Sequence, residues 1–229
     1  MIPDEARDAP RTDVTTGEGT AQVRVIPAAG ATAPRGTLLL GHGAGGSRDA
    51  ADVLALGGLV EEGWTVVLVD QPWRVAGRRV ASRPASLDLA WQDVMVALAD
   101  PGWQETYAPL PRPWVVGGRS AGARVACRTS VAGAGPAVAA VVCLAFPLHP
   151  PGKPERSRAE ELLLPLAAGL PTLVVQGTRD PFGGPEEIAA AVGSERERLT
   201  LVPVPGAHSP SRDLATVRAA VSDLLSALP

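Results

Sequence analysis

The sequence concentrates its reactive side chains in four glycine-bearing stretches, each placed just after a run of apolar residues. In the first, Trp114-Val-Val-Gly-Gly-Arg-Ser-Ala-Gly122, a strand-like run enters the pattern G-x-S-x-G around Ser120 and continues into a helix-like segment. A serine on so tight a strand-to-helix turn sits in strained backbone, and bulky flanking side chains would collide there. The turn lifts the hydroxyl clear of the sheet and aims a helix N-terminus at developing negative charge. In a chain with 25 glycines the pattern alone is weak, and its position between strand and helix gives it weight.

A serine hydroxyl is a poor nucleophile near neutral pH. It needs a base, and the base needs a carboxylate that fixes its tautomer and stabilises the imidazolium. Leu173-Val-Val-Gln-Gly-Thr-Arg-Asp180 sets Asp180 just past a late strand, and Val202-Pro-Val-Pro-Gly-Ala-His208 sets His208 just past the last one. Only three histidines exist: His42 belongs to another glycine turn and His149 precedes a proline-rich loop. Asp70, also at a strand end, is the rival acid, but it precedes the serine. Turn chemistry alone would also account for an aspartate before Pro181. In the fourth stretch, Leu38-Leu-Leu-Gly-His-Gly-Ala-Gly-Gly46, a strand ends in small residues whose backbone N–H groups can approach a substrate oxygen. The N–H groups of Ala121 and Ala44, with Gly43 close behind, would form an oxyanion hole. A phosphate-cradling loop is the competing reading, but no P-loop lysine follows.

These residues need a scaffold that brings strand ends together. Strand-like runs fall at 21–26, 36–41, 65–70, 114–118, 139–145, 172–177 and 199–204. Most are continuously apolar and β-branched, which suits a parallel sheet covered on both faces. Helices are expected over roughly 48–62, 86–99 and 120–134. Ser157-Arg-Ala-Glu160 reads as a capping box, with Pro165 disturbing the helix it opens. Pro185 with Glu186 and Glu187 reads as a helical first turn, and Ser211 as the start of the last helix. Alternating strand and helix means a doubly wound α/β sheet, where ligands bind beyond the carboxyl ends of the strands.

Composition narrows the alternatives. A chain of 229 residues suits one domain, read as 19–229 behind a loose polar tail at 1–18. An apolar share of 45% with only 3% aromatic calls for an aliphatic core, with Trp73 and Trp91 as candidate pocket residues. A formal charge of −3 gives no global attraction to nucleic acid or to an anionic membrane. No run is long enough to span a bilayer and the N-terminus lacks an apolar signal-like region, so a cytoplasmic location is expected. Cys127 and Cys143 sit in apolar segments and read as buried free thiols. The cysteines and histidines have no metal-ligand spacing, and neither a metal nor a cofactor is expected.

Taken together, the motifs at Gly41 to Gly46, Gly117-Gly-Arg-Ser-Ala-Gly122, Phe146-Pro-Leu-His-Pro-Pro-Gly-Lys-Pro154, Gln176-Gly-Thr-Arg-Asp-Pro-Phe-Gly183 and Gly206-Ala-His208 carry a resemblance. From Gly36 onward the chain resembles the α/β-hydrolase superfamily. Within it, the chain resembles the dienelactone-hydrolase-like group that includes the testis-expressed hydrolase-like protein and the third subunit of the NSL chromatin complex. The order Ser, Asp, His is the one expected for this fold. The resemblance implies Ser120 as nucleophile, Asp180 and His208 as its partners, and a serine hydrolase acting on an ester or thioester. It departs from dienelactone hydrolases proper, whose nucleophile is a cysteine. A non-catalytic scaffold for protein interaction, or an acyltransferase using the same residues, are the alternatives.

Many members of this fold insert a lid after the strand at 139–145; here only residues 147–156 precede the next helix, so no lid domain is expected. Arg74, Arg78, Arg79, Arg119, Lys153 and Arg156 fall in segments near the expected mouth, and His42 and His149 lie near them. Arg74, Arg119, Lys153 and the two histidines are candidate substrate contacts for a small acyl substrate with an anionic group. Surface salt bridging in an arginine-rich chain is the plainer explanation of that cluster.

Overall fold

The structure is a computed structural model that describes residues 4–29, 33–45, 49–133 and 135–229, with the side chains of Asp4 and Glu5 left aside. Gly46 of the glycine turn lies outside the described residues. The strands are β1 (Arg11–Thr16), β2 (Gly19–Ile26), β3 (Gly36–Gly41), β4 (Trp64–Asp70), β5 (Trp114–Arg119), β6 (Val138–Leu144), β7 (Thr172–Gly177) and β8 (Leu199–Val204). They form one sheet in the order β1-β2-β4-β3-β5-β6-β7-β8. Strands β3 to β8 run parallel, while β2 pairs antiparallel with both β1 and β4.

The continuous apolar runs are explained by two covered faces. Leu39, Val67, Val116, Val141 and Val174 enter one buried cluster, and their neighbours Leu38, Leu40, Val66, Val115, Val142 and Leu173 enter the other. The helices are α1 (Asp4–Asp8), α2 (Ala51–Ala55), α3 (Pro72–Val75), α4 (Pro84–Ala99), α5 (Pro101–Thr106), α6 (Ala121–Thr129), α7 (Ala159–Ala167), α8 (Pro185–Val192) and α9 (Leu214–Ser226). Trp91 and Leu98 of α4, Cys127 of α6, Leu162 of α7 and Ile188 of α8 cover the first face. Leu54 of α2 and Val217, Val221 and Leu225 of α9 cover the second. Each fully buried Leu or Val contributes about 1.5–3 kcal/mol of transfer free energy. Trp73 and Trp91 belong to this core, not to a pocket wall, and the thiols of Cys127 and Cys143 are buried within it 3.5 Å apart.

Several expectations need correction. Of the tail expected over 1–18, residues 1–3 lie outside the described residues and 4–18 are not loose, because Asp4–Asp8 is helical and Arg11–Thr16 pairs with β2 as the edge strand of the sheet. Its polar sequence misled because an edge strand buries one face only; Val14 and Thr16 turn inward. The helix over 48–62 is a short α2 followed by a 3-10 segment, Leu56–Glu62, containing Gly57 and Gly58. The helix expected to run to 134 ends at Thr129, where the hydroxyls of Thr129 and Ser130 donate to the carbonyls of Val125 and Cys127. No capping box forms at Ser157: Arg158 is the N-cap, held outside the helix by its N–H donating to Leu148 O at 2.7 Å. Asp213 rather than Ser211 caps α9, because its carboxylate serves both the N–H and the hydroxyl of Thr216.

Strand order decides where chemistry can occur. The chain crosses from β3 to β4 on one side and then back past β3 to β5 on the other, so a crevice opens beyond the carboxyl ends of β3 and β5. Gly41 pairs with Gly118 at that edge.

Candidate active site

Ser120 is the N-cap of α6 with φ 53° and ψ −107°, a conformation that costs a non-glycine residue about 1–3 kcal/mol. Packing holds it there. The Ser120 N–H donates to Leu144 O at 2.9 Å, and its carbonyl accepts from Arg124 N–H at 3.1 Å. A Cβ at either Gly118 or Gly122 would strike the carbonyl of Gly41, so the two glycines of the motif let the turn lie directly against the end of β3.

The ends of β7 and β8 are joined in the same manner. A Cβ at Gly177 would collide with the carbonyl of Ala207, so glycine there admits the loop that carries His208. Thr178 N–H donates to Val204 O and Arg179 N–H to Gly206 O, both at 2.9 Å, which locks that loop to β7. The outcome is a continuous hydrogen-bonded chain. Ser120 Oγ lies 2.7 Å from His208 Nε2, and His208 Nδ1 lies 2.8 Å from Asp180 Oδ2. With Asp180 as carboxylate, Nδ1 carries the proton and Nε2 faces the serine as acceptor. The carboxylate is fully buried and accepts further from Gln176 Nε2 and from Phe182 N–H, each at 2.9 Å. The Phe182 ring packs 4.1 Å from the imidazole. Asp70, the rival acid, instead faces Arg11 at 3.9 Å.

Beside Ser120 a cavity of about 410 Å³ is lined by Ala44, Gly45, Ser120, Ala121, Phe182 and His208, with Arg119, Arg124, Pro147 and Arg158 at its walls. Ala121 opens α6, so its N–H has no partner within the helix. A Cβ on Gly43 would come within 3.6 Å of the Ser120 Cβ, so the glycine turn and the nucleophile turn are in contact. By letters the run also satisfies G-x-G-x-x-G at Gly41, Gly43 and Gly46. Unlike a dinucleotide turn, it does not open directly into a helix, since α2 begins only at Ala51.

The other candidate contacts divide. His42 is buried away from the cavity: Nδ1 bonds Gly43 O at 2.8 Å, and Nε2 accepts from Gln71 N–H at 3.1 Å. It braces the turn. Arg74 reaches Ala44 O at 3.5 Å while its guanidinium lies over the Trp73 ring. Arg119 lines the cavity, yet its Nε donates to Asp52 at 3.1 Å and its Nη2 to the carbonyl of His208 at 2.7 Å. Asp52 is fully buried, and burial raises its carboxyl above the ordinary value despite the nearby guanidinium. His149 bridges Pro150 O and Glu187, tying the segment after β6 to α8, and Lys153 stands exposed on a turn. Neither lines the cavity. Gln176, Asp52, Arg124 and Arg158 were missed. A polar residue ending the apolar run of β7 was a usable signal for Gln176, and Arg124 lies one helical turn beyond Ser120. Nothing local marks Asp52 or Arg158.

Among the described residues no group of three or more His, Cys, Asp and Glu is placed to hold a metal, and no helix is long and apolar enough to cross a membrane. Residues 34–215 match the model of the alpha/beta hydrolase domain family. The chain belongs to the alpha/beta hydrolase family. No curated protein matches it. Among solved structures, this hydrolase domain is similar to an alpha-beta serine hydrolase homologue from Coxiella burnetii, with a TM-score of 0.72, 18% identity, and coverage of 96% of this chain and 97% of that one. It is similar to a serine hydrolase without a lid from Xanthomonas campestris at a TM-score of 0.69, 22% identity and coverage of 96% and 95%. A dienelactone hydrolase from Anabaena variabilis gives 0.64, 19%, and 96% and 97%. At these identities the likeness is one of fold. With the Xanthomonas campestris structure it includes the missing lid, since only residues 145–158 join β6 to α7 here.

Proposed function

We propose that this chain is a serine hydrolase that cleaves an ester, thioester or related acyl bond of a small substrate through an acyl-enzyme on Ser120. The observation that carries the reading is the Ser120–His208–Asp180 chain, at 2.7 and 2.8 Å, ending in a buried carboxylate beside an accessible cavity. In the first step His208 Nε2 takes the Ser120 proton as Oγ attacks the carbonyl carbon. The oxyanion rests on the N–H groups of Ala121 and Ala44, typically worth about 3 kcal/mol per donor. His208 then protonates the leaving group, and water attacks the acyl-enzyme by the same route. Gln176 and Phe182 N–H keep Asp180 oriented toward the imidazole. Within the family, the motif set favours the dienelactone-hydrolase-like group, with serine in place of cysteine. The thiols of Cys127 and Cys143, buried side by side and not joined as a disulfide, suit a reducing compartment such as the cytoplasm.

Fluorophosphonate labelling followed by peptide mapping tests this, together with a panel of short-chain 4-nitrophenyl esters. Label on Ser120, with Ser120→Ala lowering ester turnover by about 10⁴-fold or more, is the expected result. A folded protein that neither labels nor turns over any ester overturns it.

A further inference from the structure

The charged wall of the cavity assigns a substrate class, and this inference rests on the hydrolase reading above. Arg124 and Arg158 both line the cavity that holds Ser120. Arg124 is held in a bidentate pair with Glu161, through Nε at 2.7 Å and Nη2 at 2.5 Å, which leaves Nη1 outside the pair. Glu161 is shared, since Arg128 Nη1 also reaches it at 3.0 Å. Arg158 has no carboxylate partner among the described residues; the one hydrogen bond of its guanidinium there is from Nη1 to the carbonyl of Pro147 at 3.0 Å. Burial lowers its pKa first, and like charge from Arg124, Arg156 and Arg128 lowers it further, which Glu161 opposes only in part. A guanidinium held in such surroundings, half-buried and with free donors at a reactive site, is organised for an anion.

We propose that Arg158, supported by Nη1 of Arg124, binds a carboxylate on the substrate, so that the preferred substrates are esters or thioesters with a carboxylate about one helical turn from the scissile carbonyl. Arg124 lies four residues past Ser120 on α6, and four residues advance about 6 Å along a helix. That spacing fits a short dicarboxylic monoester. It is a different set from the one the sequence suggested: Arg74 and Arg119 are committed to backbone carbonyls and Asp52, and Lys153 stands away from the cavity.

The test compares kcat/KM for two matched pairs. Mono-4-nitrophenyl adipate against 4-nitrophenyl hexanoate places the charge on the acyl side, and 4-acetoxybenzoate against 4-methylphenyl acetate places it on the leaving group. At least one pair should favour the anionic member by 10-fold or more. Arg158→Gln should bring that ratio to within about 3-fold of unity, and Arg158→Lys should retain part of it. Thermal melts confirm that both variants are folded, and the ratio within each variant removes any common loss of activity. Turnover of both neutral esters with no anionic preference in either pair overturns this proposal while leaving the hydrolase reading intact. A preference unaltered in Arg158→Gln overturns it too. Absence of all turnover and of Ser120 labelling is the separate failure of the hydrolase reading, and the proposal falls with it.

Discussion

Replacing Arg119 with methionine removes two bonds that do different work, and a double-mutant cycle separates them. The Nε bond neutralises Asp52, whose side chain is fully buried; the Nη2 bond, at 2.7 Å, fixes the main chain of His208. Breaking a buried ion pair from one side costs about 3–5 kcal/mol, because the remaining charge is stranded. Asp52 has an escape, since its carboxyl is already raised by burial and can take up a proton, so the loss should fall at the lower end, about 3 kcal/mol. The sign follows from linkage. With the native carboxyl raised above its unfolded value of 3.8, the folded variant holds its proton more tightly than the unfolded chain does. Its stability therefore falls as pH rises from about that value through the raised one, so its deficit is smaller at pH 4 than at pH 8. Adding Asp52→Leu removes the stranded charge and should restore stability to within about 1 kcal/mol, because apolar replacement of a whole buried pair is often neutral. Activity should not return with it. His208 O still lacks a charge-assisted bond worth about 1.5–3 kcal/mol, and each 1.36 kcal/mol transmitted to the barrier is about tenfold in rate. Urea unfolding at pH 4 and pH 8, with ester turnover at pH 8, reads all of this. A single variant within 1 kcal/mol of the parent refutes the stranded-charge argument. A double variant with full turnover refutes the positioning of His208.

Two further outcomes are expected. Gly122→Ala should destabilise by about 2–3 kcal/mol and depress turnover, because the new Cβ meets the carbonyl oxygen of Gly41 and its carbon at 2.6 Å. Gly45→Ala, whose Cβ would meet nothing within 4 Å among the described residues, should melt as the parent does; equal melting of both variants would contradict the close-approach account. Glu187→Gln should lower the melting temperature most near pH 5.5–6. The His149 pKa is raised by its bond to Pro150 O and then by Glu187, against burial, while the Glu187 carboxyl is lowered by the Gly184 N–H and then by His149. The Glu187 contribution is thus present above about 4.5, and the His149 contribution is lost as pH rises from about 6.5 through its raised value. The difference between parent and variant should shrink between pH 6 and pH 9, toward what the Gly184 cap supplies; a difference constant from pH 5.5 to 9 would show the pair to be uncharged.

The sequence by itself determined the parts of this protein that depend on local pattern. The bounds of β3 and β7 were legible because strands covered on both faces must be largely apolar, and the glycines that end them break the pattern sharply. The placement of Ser120, Asp180 and His208 just beyond strand ends was legible because turn chemistry constrains neighbouring residue types there. The edge strand β1 was hidden because its polar alternation resembles a solvated tail until β2 lies beside it. Which arginines face the serine was decided only by tertiary structure. Asp52 and Arg119 are 67 residues apart, and Arg124 and Glu161 are 37 apart, and each pair meets because strand order folds distant segments over one sheet edge. A charged side chain takes its role from the countercharge within a few ångströms, and that neighbour is set by topology, which apolar periodicity does not encode.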